Sequence, residues 1–221
     1  MKKTFTTKNW RRVVGCFLAA TGLILLLPFM LLCALLIRIY SPGAIFFRQK
    51  RVGKNGKLFT LYKFRTMYEK KKGLAITAAT DKRITPIGSL LRKYKIDELP
   101  QLYNVLRGDM SFVGPRPEVP EYVDLSNPAW MKVLSISPGI TDPVTLQLRN
   151  EENFLAQAED KEAFYCKVIQ PFKLDGYLKY LEKKSVLTDL RLIGQTFKVV
   201  LFPKSAPTPK AEDIRLSYLK Y

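Results

Sequence analysis

A long uncharged segment, from Val13 to Ile37, dominates the pattern of hydrophobic and polar positions along the chain. As a helix rising about 1.5 Å per residue, it is long enough to cross the roughly 30 Å hydrocarbon core of a bilayer. A cleaved signal peptide has a shorter apolar core followed by a small-residue cleavage site, and no such site follows here. A buried helix of a soluble protein is rarely apolar around its whole circumference. The pattern therefore predicts a membrane-embedded helix.

Positive charges flank this segment on both sides. The nearest are Lys2, Lys3, Lys8, Arg11 and Arg12 before it, and Arg38, Arg48, Lys50, Arg51 and Lys54 after it. Because basic flanks favour the cytoplasmic side, a straight span cannot satisfy both ends. Pro28 lies near the middle and lacks the N–H of a regular helix, so it favours a kink. We therefore favour a re-entrant helix that bends at Pro28 over a plain span, with the following domain on the cytoplasmic face.

Alternating apolar and polar residues predict a β-hairpin over residues 44–67. Its turn is indicated by Asn55-Gly56, the strongest short hairpin signal in the chain. In the second strand, the two-residue period places four side chains on one face, namely Phe59, Leu61, Lys63 and Arg65. Two cations at the outer end of this face are also what a solvated hairpin tip would carry.

Helical spacing follows in residues 84–109 and again in residues 149–202. In the first region, Pro100 interrupts the pattern, so it ends one helix near Asp97-Glu98 and sits in the first turn of the next. Acids before a helix are common because they suit its positive dipole end. Near the C-terminus, an amphipathic helix carries Leu187, Leu190, Ile193, Phe197 and Leu201 along one side. It could pack on the domain or lie in the membrane interface.

These elements predict a mainly α fold with a small β-hairpin. The boundaries that follow are a basic N-terminus and membrane helix over residues 1–40, a domain over residues 41–202, and a C-terminal tail over residues 203–221. The stretch between Pro117 and about Thr145 is rich in proline and is predicted to be loop-rich.

Composition narrows the chemistry. The formal net charge is +18, from 37 Lys+Arg against 19 Asp+Glu, which implies anionic partners such as phosphorylated substrates, anionic lipid or nucleic acid. The absence of histidine excludes Ser-His and Cys-His nucleophiles, and three scattered cysteines give no zinc ribbon. Carboxylates, Lys, Tyr, Ser or a hard metal ion remain, with Mg²⁺ the default metal. We find no P-loop, GxGxxG or nucleic-acid-binding motif, and predict no nucleic-acid partner.

The acid pair stands shortly before a rigid turn, Gly114-Pro115-Arg116-Pro117. The two prolines restrict the backbone on either side of Arg116, and a guanidinium held in this way suits bidentate phosphate binding. A structural arginine in a surface turn is the alternative when the turn is taken alone.

Three motifs, in order, resemble the bacterial sugar transferases, also called monotopic phosphoglycosyl transferases: "KFRTM", "DKRITPIGSLLRKYKIDELPQLYNVLRGDMSFVGPRP" and "PGIT". The likeness extends to about Lys198 and is to the small members of the family. It implies a mainly helical fold seated in one leaflet by a re-entrant helix. It also implies transfer of a sugar 1-phosphate from a UDP-sugar to a polyprenyl phosphate, such as undecaprenyl phosphate, with release of UMP. The expected location is the cytoplasmic face of the bacterial inner membrane, where the product starts a surface glycan.

By this resemblance, Asp97 is the catalytic nucleophile and Glu98 a Mg²⁺ ligand. Arg116 is expected on the substrate phosphates, and the matched motifs offer Lys63, Arg65, Arg83 and Arg92 as further phosphate-binding residues. Arg149 and Asn150, after the "PGIT" loop, are expected at the nucleotide or sugar.

The chain departs from the family pattern at two places. Leu27 precedes Pro28, where family members often have serine, so the bend lacks a hydroxyl that could bond the freed backbone. Asp142-Pro143 follows "PGIT", where many members have glycine and an apolar residue. Two other functions remain open from sequence. One is a non-catalytic, membrane-anchored basic module that binds anionic lipid or nucleic acid. The other is a glycosyltransferase that moves the sugar alone and releases UDP.

Overall fold

The computed structural model describes residues 7–68, 76–202 and 205. Its helices are α1 (Thr7–Tyr40), α2 (Pro86–Lys93), α3 (Gln101–Arg107), α4 (Pro128–Val133), α5 (Pro143–Gln147), α6 (Glu151–Gln157), α7 (Lys161–Phe164), α8 (Gln170–Lys183) and α9 (Val186–Leu201). Its strands are β1 (Phe46–Val52), β2 (Leu58–Phe64), β3 (Ser111–Val113) and β4 (Gly139–Thr141). The predicted fold class, mainly helical with a small hairpin and a long apolar N-terminal helix, is confirmed. The predicted tail lies outside the described residues except for Ser205.

Helix α1 is unbroken, and Pro28 lies inside it. The chain stays helical from Thr7 to Tyr40, so the predicted bend would lie within a continuous helix. A proline removes one backbone hydrogen bond, and a helix of this length retains the bonds on either side of it. A bend of the continuous helix at Pro28 stays a prediction.

Both ends of α1 contact the same globular body. Near its start, Arg11 Nη1 lies 3.5 Å from Asp189 Oδ2 of α9, and Ala19 is fully buried against the hairpin and α3. Near its end, Cys33 and Ile37 are buried in a cluster with β2 and α2. Such contacts at both ends suit a monotopic anchor, in which neither end is separated from the domain by a bilayer.

The other face of α1 is apolar and exposed. Within Trp10–Tyr40, an 18-residue stretch has a mean hydropathy of 2.6, so the helix is long and apolar enough to cross a membrane, yet only 11% of that stretch is buried in the protein. Exposed side chains include Phe17, Ile24, Leu25, Leu31, Leu35 and Ile39. An apolar surface of this extent, covered by no described part of the chain, is typical of contact with lipid.

The predicted hairpin is confirmed. Strands β1 and β2 are antiparallel, with Phe46 opposite Phe64 and Val52 opposite Leu58. The connecting loop contains Asn55 and Gly56 with φ of 57° and 74°, in the left-handed region that Asn and Gly tolerate best. One face of β2 buries Phe59 and Leu61 against the core, and the same face carries Lys63 toward the acid pair.

The predicted junction at the acid pair is also confirmed. Helix α2 begins with Pro86 after an N-cap at Thr85, whose hydroxyl accepts from Gly88 N at 2.9 Å. After α2, Lys95 adopts a left-handed conformation with φ of 56°, and a 3₁₀ turn carries Asp97 and Glu98. Pro100 is then the N-cap of α3. The reversal at Lys95 ends one helix and turns both carboxylates inward.

A short parallel pair, β3 with β4, closes the fold behind the Arg116 turn. The pairing requires glycine, since a Cβ on Gly139 would lie 2.1 Å from Gly114 N. The region predicted to be loop-rich contains short helices, because three of its prolines occupy the first helical turn, where no N–H is needed: Pro120, Pro128 and Pro143. Loops separate these short helices, so the region is loop-rich as predicted.

Helices α4 to α8 pack around a core that includes Trp130, Val144, Leu155, Ile169 and Tyr177. Helix α9 buries Leu192 and Val199. Most of its predicted apolar side faces outward, since Leu187, Leu190, Phe197 and Leu201 are 60–68% exposed. This exposure favours the interfacial placement of α9.

Candidate active site

A cavity of about 580 Å³ opens between the hairpin, the acid junction, the Arg116 turn and α6. Its cationic lining residues are Arg51, Lys63, Arg92, Lys93, Lys95, Arg116, Arg149 and Lys173. The acidic residues are Asp97, Glu98, Glu118, Glu151 and Glu152. The excess of cations in a concave, partly dry site suits a polyanionic ligand of the size of a nucleotide sugar.

Two cations from different elements converge on Glu98. Arg116 donates from Nη2 to Oε1 at 2.5 Å and from Nη1 to Oε2 at 3.2 Å. Lys63 Nζ donates to Oε1 at 3.0 Å. The structure therefore brings together three residues that are far apart in sequence, and Arg116 uses the bidentate geometry predicted for it, here on a carboxylate.

Asp97 lies in the same cavity but has different surroundings. It is 6% exposed, and its Oδ1 is buried without a hydrogen-bond partner among the described residues. An unpaired, buried carboxylate oxygen is costly, since it loses hydration and gains no bond. Such an oxygen facing a cationic cavity is suited to meet a ligand atom.

These surroundings separate the pKa values of the two carboxyls. Burial raises the pKa of Asp97, and Lys63 offsets this only in part. Burial acts in the same direction on Glu98, but the fields of Arg116 and Lys63 hold the pKa of Glu98 well below its usual range. Burial also lowers the pKa of Lys63 to about 8, against the field of Glu98. Glu98 is therefore the more readily ionised carboxyl of the pair, and Asp97 the less readily ionised.

The side chains of this site could bind Mg²⁺ only together with other ligands, such as substrate phosphates and water. The described residues contain no cluster of three or more His, Cys, Asp or Glu side chains able to hold a metal alone. Mg²⁺ is commonly bound by one or two carboxylates, with substrate phosphates and waters completing the shell. The free Oδ1 of Asp97 and the less occupied Oε2 of Glu98 fit that role.

Two predicted phosphate-binding arginines have other partners. Arg65 is buried and donates to the carbonyl oxygens of Ser41 and Pro42, so it fastens the end of α1 to the hairpin. Arg83 forms a bidentate pair with Asp81, with Nη2–Oδ2 at 2.6 Å and Nε–Oδ1 at 3.0 Å. Neither is among the described residues that line the cavity. A contact of Arg65 or Arg83 with the substrate phosphates therefore stays a prediction.

The remaining predicted residues do line the cavity. Arg92 Nη1 lies 3.2 Å from Glu152 Oε1, and Arg149 Nη2 donates to Lys93 O at 2.6 Å. Asn150 is the residue before α6. Arg149 and Asn150 thus lie on the wall formed by α2 and α6, and their contact with a nucleotide or sugar stays a prediction.

A second cluster of polar side chains lies on the cavity wall and was not predicted from the sequence. Glu118 accepts from Arg51 Nη1 at 3.2 Å and from the hydroxyl of Tyr165. Tyr165 in turn accepts from Lys173 Nζ at 3.2 Å, and Lys173 donates to Glu151 at 2.9 Å. The one sequence signal was Glu118, which stands two residues after Arg116.

The departure at Asp142 has a structural explanation. Its buried Oδ1 accepts from Val144 N at 2.8 Å and Thr145 N at 2.9 Å, and its Oδ2 accepts from the Thr145 hydroxyl. Asp142 is therefore the N-cap of α5. Although burial raises its pKa, all of these contacts stabilise the helix start.

Comparison with known proteins identifies the family of this chain. A family model described as bacterial sugar transferase matches residues 6–203. A UDP-N-acetylgalactosamine-undecaprenyl-phosphate N-acetylgalactosaminephosphotransferase of Aeromonas hydrophila is 33% identical over 196 residues, covering 86% of this chain and 43% of that protein. A UDP-glucose:undecaprenyl-phosphate glucose-1-phosphate transferase of Xanthomonas campestris pv. campestris is 39% identical over 196 residues, covering 86% of this chain and 38% of that protein.

A shorter match, 45% identical over 116 residues, is to a putative undecaprenyl-phosphate N-acetylgalactosaminyl 1-phosphate transferase of Bacillus subtilis, with 52% of this chain and 65% of that protein covered. The chain thus spans less than half of the first two relatives and about two thirds of the third. Because the family model covers nearly all of the chain, this protein belongs to the bacterial sugar transferase family.

Proposed function

We propose that this protein transfers a sugar 1-phosphate from a UDP-sugar to a polyprenyl phosphate, such as undecaprenyl phosphate, and releases UMP. One observation carries the proposal. In a cationic cavity, the buried Oδ1 of Asp97 has no partner among the described residues, and the adjacent Glu98 is held by Arg116 and Lys63. The names of the related proteins favour the same substrates.

The site offers donors that match a diphosphate. A guanidinium has five N–H donors, and Arg116 directs two of its nitrogens at Glu98. The other donors of Arg116, together with Lys63 and Arg92, can bind phosphate oxygens. Since charge-assisted hydrogen bonds to phosphate are the strong ones, this set would orient the diphosphate relative to Asp97.

The proposed chemistry has two steps. A carboxylate oxygen of Asp97 forms a bond to the sugar-bearing phosphorus, and the bond from that phosphorus to the bridging oxygen breaks. UMP leaves with the bridging oxygen and its electron pair. An oxygen of the polyprenyl phosphate then attacks the same phosphorus, and Asp97 is released as a carboxylate. The product is a polyprenyl diphosphate sugar.

The environment of Asp97 suits a nucleophile. Its surroundings are dry, so its ionised form is poorly solvated and reactive, and the charge of Lys63 keeps that form accessible. Glu98 holds Arg116 and Lys63 at the cavity, where they would meet the diphosphate. When bound by Asp97, Glu98 and the substrate, Mg²⁺ would neutralise diphosphate charge and polarise the phosphoryl group.

The membrane surface explains how one site receives two different substrates. The exposed apolar faces of α1 and α9 would hold the domain at the cytoplasmic surface of the bacterial cytoplasmic membrane. A soluble UDP-sugar would enter the cavity from water, and the phosphate of the lipid acceptor would arrive from the membrane. Transfer in two steps lets these substrates use the cavity in turn.

The test measures UMP and enzyme-bound sugar phosphate with a labelled UDP-sugar and no acceptor. The covalent route predicts a burst of about one UMP per active site and an adduct on Asp97. Asp97→Asn keeps the shape of the side chain and should abolish both signals. Glu98→Gln should weaken the dependence on Mg²⁺ while leaving Asp97 in place. Asp124→Asn, on an exposed turn, is the matched control and should behave as wild type.

Each alternative predicts a different outcome. Direct transfer in a ternary complex, with Asp97 as a base, gives no adduct, and UMP appears only with acceptor. A glycosyltransferase releases UDP, and a non-catalytic lipid-binding module releases no nucleotide. The proposal is abandoned if UDP or no nucleotide is formed at adequate Mg²⁺ with acceptor present.

A further inference from the structure

The proposed reaction leaves one buried polar network unused. Tyr165 is 2% exposed, and its hydroxyl contacts Glu118 and Lys173 on the wall of the cavity. Lys173 is itself buried, with its Nζ 2.9 Å from Glu151 Oε1 and 4.7 Å from the centroid of the Tyr165 ring. Burying an ammonium, a phenol and a carboxylate together costs free energy, because each group loses its hydration. A network built at this cost is a candidate for a functional role.

The chemistry of these groups fixes the direction of each hydrogen bond. An ammonium is a donor only, so Lys173 must donate to the Tyr165 oxygen. The single proton of the Tyr165 hydroxyl is then directed at Glu118, which accepts it. Lys173 therefore determines how the Tyr165 hydroxyl points.

Glu118 connects this network to the turn that carries Arg116. Its carboxylate accepts from Arg51 Nη1 at 3.2 Å and from Val119 N at 2.9 Å, and its backbone oxygen accepts from Val52 N at 2.8 Å. Arg51 Nη1 also donates to Pro117 O at 3.2 Å. The segment immediately after Arg116 is thus fastened to β1 on one side and to Tyr165 on the other.

The helix that supplies Tyr165 has an unusual backbone. Residues Tyr165–Ile169 form a π-helical turn between α7 and α8. Pro171 contributes to this geometry, because it has no N–H to offer the carbonyl of Lys167 four residues earlier. Single π turns are rare and occur often at functional sites. Here the turn places Tyr165 and Lys173 on the same wall of the cavity.

We propose that Tyr165, oriented by Lys173, is a positioning residue for the transfer reaction. Through Glu118, it fixes the turn that carries Arg116, and so sets the direction in which the guanidinium meets Glu98 and the substrate diphosphate. This inference rests on the proposed function for its activity readout. It assigns Tyr165 no contact with the reacting atoms.

The experiment compares two tyrosine-to-phenylalanine variants from the same helical region. Tyr165→Phe removes the hydroxyl that contacts Glu118. Tyr180→Phe is the matched control, because Tyr180 is also buried at 3% exposure and donates to a carboxylate, Asp189 Oδ1 at 2.7 Å, but lies outside the cavity lining. Both variants should lose similar stability in urea unfolding. A misplacement of Arg116 should lower kcat about 10- to 100-fold in Tyr165→Phe alone.

A double-mutant cycle separates positioning from general structural support. If Tyr165 acts through Arg116, adding Tyr165→Phe to Arg116→Lys should reduce the rate of the UMP burst by less than about threefold. Lys173→Met should resemble Tyr165→Phe in direction, since it releases the orientation of the hydroxyl. The inference would be overturned if Tyr165→Phe lowered the rate of the UMP burst equally in the wild type and in Arg116→Lys. An equal loss of kcat in Tyr180→Phe would also overturn it.

A second readout keeps the inference independent of turnover. The affinity for UDP-sugar, measured by calorimetry, should fall in Tyr165→Phe and not in Tyr180→Phe. If the wild type binds UDP-sugar but releases no UMP, the proposed function fails while the positioning role is still tested. If binding is unchanged and kcat is unchanged in Tyr165→Phe, the positioning role fails while the proposed function stands.

Discussion

Replacing Arg116 by lysine tests whether the geometry of the guanidinium, beyond its charge, is needed for the reaction. In the structure, Arg116 bonds both oxygens of Glu98, at 2.5 and 3.2 Å, and three N–H donors remain for substrate. Lysine keeps the positive charge but offers one nitrogen. It can bond either Glu98 or a phosphate oxygen well, but it cannot hold the carboxylate bidentately and contact the diphosphate in the same geometry.

The expected loss follows from the bonds removed. One hydrogen bond between charged groups contributes about 1.5–3 kcal/mol, which corresponds to a roughly 10- to 150-fold loss of rate if the bond matters in the transition state. Folding should survive, because Glu98 keeps Lys63 at 3.0 Å and the charge of the site is unchanged. We therefore expect a folded Arg116→Lys variant with a kcat/KM lower by one to two orders of magnitude.

Arg83→Lys is the matched control. Arg83 also forms a bidentate pair with a carboxylate, Asp81, but it is not among the described residues that line the cavity. Its replacement removes the same kind of contact at a residue outside the described lining of the cavity. The assay is UMP release from UDP-sugar with polyprenyl phosphate, alongside circular dichroism of both variants. Near-wild-type turnover of Arg116→Lys, or an equal loss in Arg83→Lys, would refute the reasoning.

Three further predictions concern the proton balance, the membrane helix and a helix cap. Because Lys63 loses its charge above a pKa of about 8, kcat/KM should fall as pH rises through about 8, and Lys63→Arg should remove that fall. In a Cys-free background, single cysteines at positions 5 and 45 should both label from the cytoplasm; opposite accessibility would indicate a full span. Asp142→Ala should lower the free energy of unfolding by about 1–2 kcal/mol in urea titrations, and no loss would contradict the cap.

Local pattern was sufficient to predict several elements. The hairpin follows from strand alternation around Asn55-Gly56, whose backbone adopts the left-handed conformation that this pair favours. The start of α3 just after the acid pair follows from Pro100, which suits a helix start, although the preceding helix ends earlier, at the left-handed Lys95. In both cases, the cause lies within a few residues of its effect, so sequence spacing is informative.

The roles of the arginines were not predictable in the same way. Arg65 and Lys63 lie on one face of β2, yet Arg65 contacts the end of α1 and Lys63 contacts Glu98. Which partner each cation finds depends on the elements packed against that face, and no local periodicity encodes them. Arg83 differs from these two residues, since its partner Asp81 is only two residues away in the sequence.

The second polar network was hidden for a related reason. Tyr165 and Lys173 are eight residues apart, and in a regular helix residues at that spacing are separated by about 80° around the axis. The π turn over Tyr165–Ile169 changes this offset, so that Lys173 contacts the hydroxyl of Tyr165, and that hydroxyl contacts Glu118, which lies 47 residues earlier. The orientation of α9 also depends on tertiary packing. Apolar residues lie on both the buried side, with Leu192 and Val199, and the exposed side of this helix, so its sequence does not show which side the domain covers.

The fate of the β-phosphorus of the UDP-sugar tests the central claim most directly. A UDP-sugar labelled at that phosphorus is incubated with the protein, polyprenyl phosphate and Mg²⁺, and the organic and aqueous phases are then separated. Transfer of sugar 1-phosphate predicts that the label moves into the lipid phase while unlabelled UMP accumulates in equal amount. Label retained in aqueous UDP, with the sugar alone on the lipid, would contradict the account.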